Sequence, residues 1–146
     1  MLADRLHELL ADTYVLFAKT QNYHWNVEGC NFKSLHEMFE EQYSDLYSAI
    51  DVLAEIIRTL GVNTNGTLSE YLRLSKIEEP ELGVSSCKMV EDLLRDNMLI
   101  QETLNAVLDE AKNEDDEVVA AFVSDRLTAH RKAAWMLKST ICGCCE

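Results

Sequence analysis

Hydrophobic positions recur at helical spacing along most of the chain, and the interruptions mark its joints. Leu6, Leu10, Thr13, Phe17, Gln21 and His24 follow one another at intervals of three and four, a stripe that predicts a helix from about Leu2 to Val27. The run Glu28-Gly29-Cys30-Asn31 breaks it. Neither Pro nor Gly then appears before Gly61, so Phe32 to Leu60 reads as one long helix. Gly61 to Gly66 is a second breaker, and Thr67 with Glu70 forms a capping box for a short helix through about Leu74. A polar link through Glu78-Glu79-Pro80 reaches Gly83. Ser85 or Ser86 caps a helix to about Lys112, with Leu93, Leu94, Leu104 and Leu108 on its apolar face. The last helix starts near Asp115 or Asp116 and carries Val118, Val119, Phe122, Leu127, Ala133, Trp135 and Leu137. Its acidic start, Glu114-Asp115-Asp116-Glu117, complements the helix dipole.

The second long helix concentrates the candidate chemistry. His36 and Glu40 are four apart, as are Asp51 and Glu55, and at ~100° per residue all four fall within an arc of roughly 100°. Along the axis, however, Glu40 and Asp51 are ~16 Å apart, too far to share one metal ion. One copy of the helix therefore offers two half-sites. A second copy, antiparallel about a two-fold axis between Asp45 and Leu46, sets residue i against residue 91 minus i. His36 then meets Glu55 of the other copy, and Glu40 meets Asp51. His24, across a short loop, is a fifth candidate ligand on the His36 side. Imidazoles with carboxylates suit iron(II), manganese or zinc. On spacing alone a solvated acidic face with core histidines is the commoner reading; Trp25, Tyr43 and Tyr47 nearby raise the metal reading.

Composition narrows the class. With 146 residues, 47% hydrophobic, a single Pro and five Gly, the chain suits one compact helical domain, 1–146. It has no apolar run of the ~18 residues that a membrane span needs and no signal-peptide pattern, so a soluble cytoplasmic protein is expected. The net charge of −13 argues against binding the phosphate backbone of nucleic acid. The five cysteines are an odd number and make no disulfide framework. Cys30 and Cys87 are expected to remain thiols, and Cys142, Cys144 and Cys145 form a thiol-rich tail.

The motifs His24-Trp25, Gly29, Phe32-x-x-Leu35-His36, Asp51-x-x-Ala54-Glu55 and Leu60-Gly61 resemble those of the Dps family, the DNA-protection-during-starvation mini-ferritins. The resemblance covers nearly the whole chain. It implies an all-α, ferritin-like four-helix bundle with a short extra helix between the second and third long helices, assembled into a hollow dodecamer. The chain has no Glu-x-x-His, the motif with which other di-iron bundles build a site inside one subunit, which favours a shared site.

Carried over residue by residue, the resemblance implies a ferroxidase site of His24, His36 and Glu40 from one subunit with Asp51 and Glu55 from its neighbour. Position 40 is often Asp in the family. Each inter-subunit site would take two iron ions, with zinc or manganese able to substitute, and hydrogen peroxide as oxidant. Ferric oxyhydroxide would collect in the cavity, seeded by Glu37 and Glu41, while Trp25 could quench radicals. Asp116 would line an iron-entry pore, although Ala121 stands where many members have a further Asp. Direct DNA binding is not expected, because the chain is acidic and its first helix starts almost at Met1, leaving no basic tail. A nucleoid-compacting DNA-binding protein and a non-redox bundle with a structural metal are the alternatives.

Overall fold

The computed structural model describes residues 1–144, with side chains through Ile141. Its helices are α1 (Leu2–Asn26), α2 (Phe32–Thr59), α3 (Leu68–Leu74), α4 (Ser86–Asn113) and α5 (Glu117–Cys144), with no strand among the described residues. Helix α1 packs on α2, α3 and α4, and α4 packs on α5. Two hairpins, α1–α2 and α4–α5, thus form the four-helix bundle, and the longer connection between them holds α3.

Each boundary has a local cause. Helix α1 ends at Asn26 because Val27 is extended, with φ −65° and ψ 139°. Gly61, at φ +85°, takes the left-handed conformation that closes α2. The hydroxyls of Thr67 and Ser85 accept from Glu70 N and Lys88 N at the starts of α3 and α4. Between α4 and α5, Asp115 sits at φ 55°, where Gly is usual. Asp115 N donates to Lys112 O and Asp116 N to Ala111 O, a Schellman closure of α4. Asp116 Oδ1 then accepts from Val119 N and caps α5.

The core is built from Leu6, Leu10 and Leu16 of α1, Phe39, Leu53 and Ile57 of α2, Leu93, Ile100 and Leu104 of α4, and Val123 and Leu137 of α5, all buried. Charge lies inside it as well. Lys19 and Asp96, almost fully buried, form an ion pair of 2.8 Å across α1 and α4, and Lys19 Nζ also donates to Glu78 O of the long connection. Burial pushes the Asp96 carboxyl up, against the pull of Lys19 and Arg95. Tyr23 donates its hydroxyl to Asp92, 2.9 Å away, and Lys88 and Arg95 pair with the same carboxylate from outside. Asp12 accepts from Ser75 Oγ, Lys76 N and Thr103 Oγ1, tying the connection to α1 and α4.

Two readings of the sequence change here. Cys87 is disulfide-bonded rather than a thiol, since isolation along the chain does not fix what a cysteine meets once folded; Cys30 is an exposed thiol. His7 falls off the apolar stripe of α1, which reads as a surface residue with no role, yet the fold gives it one. Its Nδ1–H donates to Ala3 O, and Nε2 accepts from Asn65 N, clipping the loop that precedes α3 onto α1. The side chains of Cys142, Cys144 and Cys145 lie outside the described residues.

Candidate metal centre

His24 occupies the last turn of α1 and His36 the second turn of α2, and the reversal at Gly29, φ +114°, brings the two rings face to face. The centroids are 3.8 Å apart at an interplanar angle of 15°. Each ring is locked by the other's backbone: His24 Nδ1–H donates to His36 O and His36 Nδ1–H to His24 O, both at 2.7 Å. Two carbonyl acceptors fix one tautomer in both imidazoles, so Nε2 is the atom each can offer to a cation. Phe32 stacks on His36 at 5.0 Å, and Tyr43 meets His24 edge to face at 5.2 Å.

Glu40, one turn beyond His36, is exposed, as are Asp51 and Glu55 further along α2. One chain thus brings His24 and His36 together and leaves the distal carboxylates apart from them. Among the described residues no group of three or more His, Cys, Asp or Glu stands close enough to hold a metal ion. The carboxylate face of α2 is not purely polar, since Tyr47, 67% exposed, falls inside the arc from His36 to Glu55. A cleft of about 280 Å³ between α2 and α5, lined by Gln42, Asp45, Leu46, His130 and Met136, opens on the opposite face of α2 and holds none of these ligand candidates.

Comparison with known proteins identifies the family. A ferritin-like domain model matches residues 3–142. The DNA protection during starvation protein 2 of Bacillus anthracis is 37% identical over 134 residues, covering 92% of each chain. The Dps of Staphylococcus aureus superposes with a TM-score of 0.93 at 36% identity, over 96% of this chain and 94% of that one. The chain belongs to the Dps family. A further Dps structure, from Vibrio cholerae O1, is described as a member of a broad superfamily of ferritin-like diiron-carboxylate proteins; it is 34% identical with a TM-score of 0.92, over 96% of this chain and 88% of that one.

This Dps chain fills the middle of its bundle with the Lys19–Asp96 pair and a second buried polar group. His130, missed by the sequence reading, lies between Asn97 Oδ1 at 2.9 Å and the Arg126 guanidinium at 3.2 Å. Both its nitrogens are engaged, and burial, with Arg126 beside it, lowers its pKa to about 3. It is a neutral structural residue. Arg126 in turn pairs with Asp45 of α2 at 2.9 Å. Charged residues on mostly apolar helices read as surface positions, and only the three-dimensional pairing shows otherwise. Trp25 is 64% exposed and takes part in no ring contact among the described residues. Asp116 is engaged as a helix cap, whatever further role it has. No helix of the described residues is long and apolar enough to cross a membrane.

Proposed function

We propose that the chain is an iron-sequestering ferroxidase whose site is completed only when two copies pair α2 against α2 in opposite directions. The observation that carries this reading is the locked His24–His36 pair. Two imidazoles present Nε2, and among the described residues no group of three His, Cys, Asp or Glu is close enough to hold an ion, while Glu40, Asp51 and Glu55 share one outward face with exposed Tyr47. A second copy paired about the axis between Asp45 and Leu46 would cover Tyr47, which sits within about 3 Å of that axis along the helix.

Membership of the Dps family supports iron as the substrate, and the donor set agrees with it: imidazole nitrogen and carboxylate oxygen suit iron(II), with zinc or manganese as substitutes. His24, His36 and Glu40 of one subunit and Asp51 and Glu55 of the other would hold two iron(II) ions. The three carboxylates favour iron(III) over iron(II), and hydrogen peroxide takes one electron from each ion: two iron(II), one peroxide and two protons give two iron(III) and two waters. The product hydrolyses and is stored as oxyhydroxide inside a hollow cytoplasmic dodecamer. A DNA-compacting role fits worse, because a charge of −13 per chain repels phosphate.

Stopped-flow oxidation of iron(II) by peroxide tests the assignment. Asp51→Ala with Glu55→Ala should abolish the fast phase while the shell still assembles. The shared nature of the site has its own test. His36→Ala subunits and Asp51→Ala/Glu55→Ala subunits are each expected to be inactive, but random co-assembly should restore roughly a quarter of the sites, since each mixed pair regains one intact centre. A co-assembled shell with no recovered oxidation would place the ligands within one chain.

A further inference from the structure

The loop between α2 and α3 is held against the start of α1 by one half-buried imidazole, that of His7. Nδ1 of the ring lies 2.8 Å from Ala3 O, which can only accept, so that nitrogen carries a proton. Nε2 faces two groups of opposite character: the donor Asn65 N–H at 3.3 Å and the acceptor Asn63 O at 3.2 Å. One ring atom cannot serve both. Without a proton Nε2 accepts from Asn65; with one it donates to Asn63. A histidine that loses a hydrogen bond on protonation is commonplace. Here the replacement partner already stands within reach of the same atom, on the same loop, two residues away.

The two grips act on different parts of that loop. Asn65 leads through Gly66 to Thr67, whose hydroxyl caps α3 by accepting from Glu70 N. Asn63 belongs to the exit from α2, where the Arg58 guanidinium donates to Val62 O and Asn63 Oδ1. Thr64, between them, is pinned to α2 by its hydroxyl, which donates to Ala54 O at 2.8 Å. We propose that His7 is a proton-operated clip, which passes α1's hold on the loop from Asn65 N–H to Asn63 O as the ring takes up a proton, and so loosens the lead into α3 without detaching the loop.

The charges around the ring leave Asn63 O as its partner. On α1, Asp4 pairs with the Met1 amino group and Glu8 with Arg5. On α3, Glu70 pairs with Arg73; that guanidinium chiefly, with His7 adding to it, holds the Glu70 carboxyl below its usual range. From the end of α2 comes Arg58, committed to the loop. Each of the three carboxylates thus has a cationic partner of its own, and none is left over to capture the imidazolium instead. A polar recess of about 280 Å³, lined by Asp4, His7, Glu8, Asn63, Glu70 and Arg73 among others, admits the water that delivers the proton. Imidazole is the side chain whose ordinary titration falls in the physiological range. His7 stands roughly 25 Å along α1 from His24, so the clip is independent of the ferroxidase reading.

Two measurements on the assembled protein between pH 8 and pH 5 test it: solid-state NMR of ring-15N histidine, and amide hydrogen exchange of peptides spanning residues 61–67, expressed as protection factors so that the base-catalysed intrinsic rate cancels. His7 should keep its Nδ1 proton throughout and gain one at Nε2 as the pH falls. Over the same range one amide of residues 61–67 should lose protection several-fold, reversibly, while the middle of α2 is unchanged. His7→Phe identifies the ring signal and should leave that amide unprotected at every pH. A proton already on Nε2 at pH 8, or protection of that amide that does not follow the His7 titration, would overturn the clip; both are read from the parent alone and hold whatever the variant's stability. The same acid loss of protection in His7→Phe as in the parent would overturn it as well.

Discussion

The chemistry of single side chains in this protein is set by what they are denied. His24 and His36 spend Nδ1 on each other's carbonyl, which leaves one nitrogen apiece for a cation. His130 spends both, on Asn97 and Arg126, and is buried besides. Its folded pKa of about 3 against 6.5 unperturbed has a definite sign. Below pH 6.5 the unfolded chain takes up a proton there that the folded chain refuses, so stability is full above that pH and falls as the pH drops toward 3. By pH 4.5 the loss from this residue should be roughly 2–3 kcal/mol. Denaturant midpoints measured from pH 7 to 4.5 should show a shallower decline in His130→Gln than in the parent, whatever the variant's starting stability. Lys19 makes the opposite case. Lys19→Met strands the Asp96 carboxyl in the core and should lower stability by about 3–5 kcal/mol, whereas Lys19→Met with Asp96→Leu should recover most of it.

Among the elements, the α4–α5 turn shows how local backbone chemistry and candidate function overlap. Asp115 holds a left-handed conformation that Gly would adopt without penalty, so Asp115→Gly should raise the thermal midpoint, by the equivalent of about 1 kcal/mol. Asp116 is both an α5 cap and the residue that the family resemblance puts at a pore. Asp116→Asn keeps an oxygen for Val119 N and should leave stability within ~0.5 kcal/mol, while Asp116→Ala should lose about 1 kcal/mol. Slower iron uptake in Asp116→Asn at unchanged stability would therefore report on the pore alone. The helices themselves were legible because periodicity, breakers and caps agree: Thr67 and Ser85 cap where a hydroxyl was expected, and α2 runs unbroken to Thr59. The tight α4 closure was not, since Asp in place of Gly carries no turn signal. Nor was the Lys19–Asp96 pair, whose partners are 77 positions apart on different helices.

For the whole molecule, symmetry and charge are the governing quantities. The sequence disclosed the ligand candidates because His36, Glu40, Asp51 and Glu55 repeat symmetrically about the middle of α2, a relation that spacing alone makes visible. It did not disclose the mutual grip of His24 and His36, which depends on a loop reversal. A charge of −13 per chain repels phosphate, so a gel shift with duplex DNA should show no retained complex even at low salt, where phosphate contacts are strongest. The outward-facing carboxylates of α2 carry one further consequence. On the proposed shared site, a chain newly released from the ribosome would be inert toward iron until it met its twin, so at low abundance the rate of detoxification should climb with the square of chain concentration rather than in proportion to it. Supply of the polypeptide itself would then act as the switch.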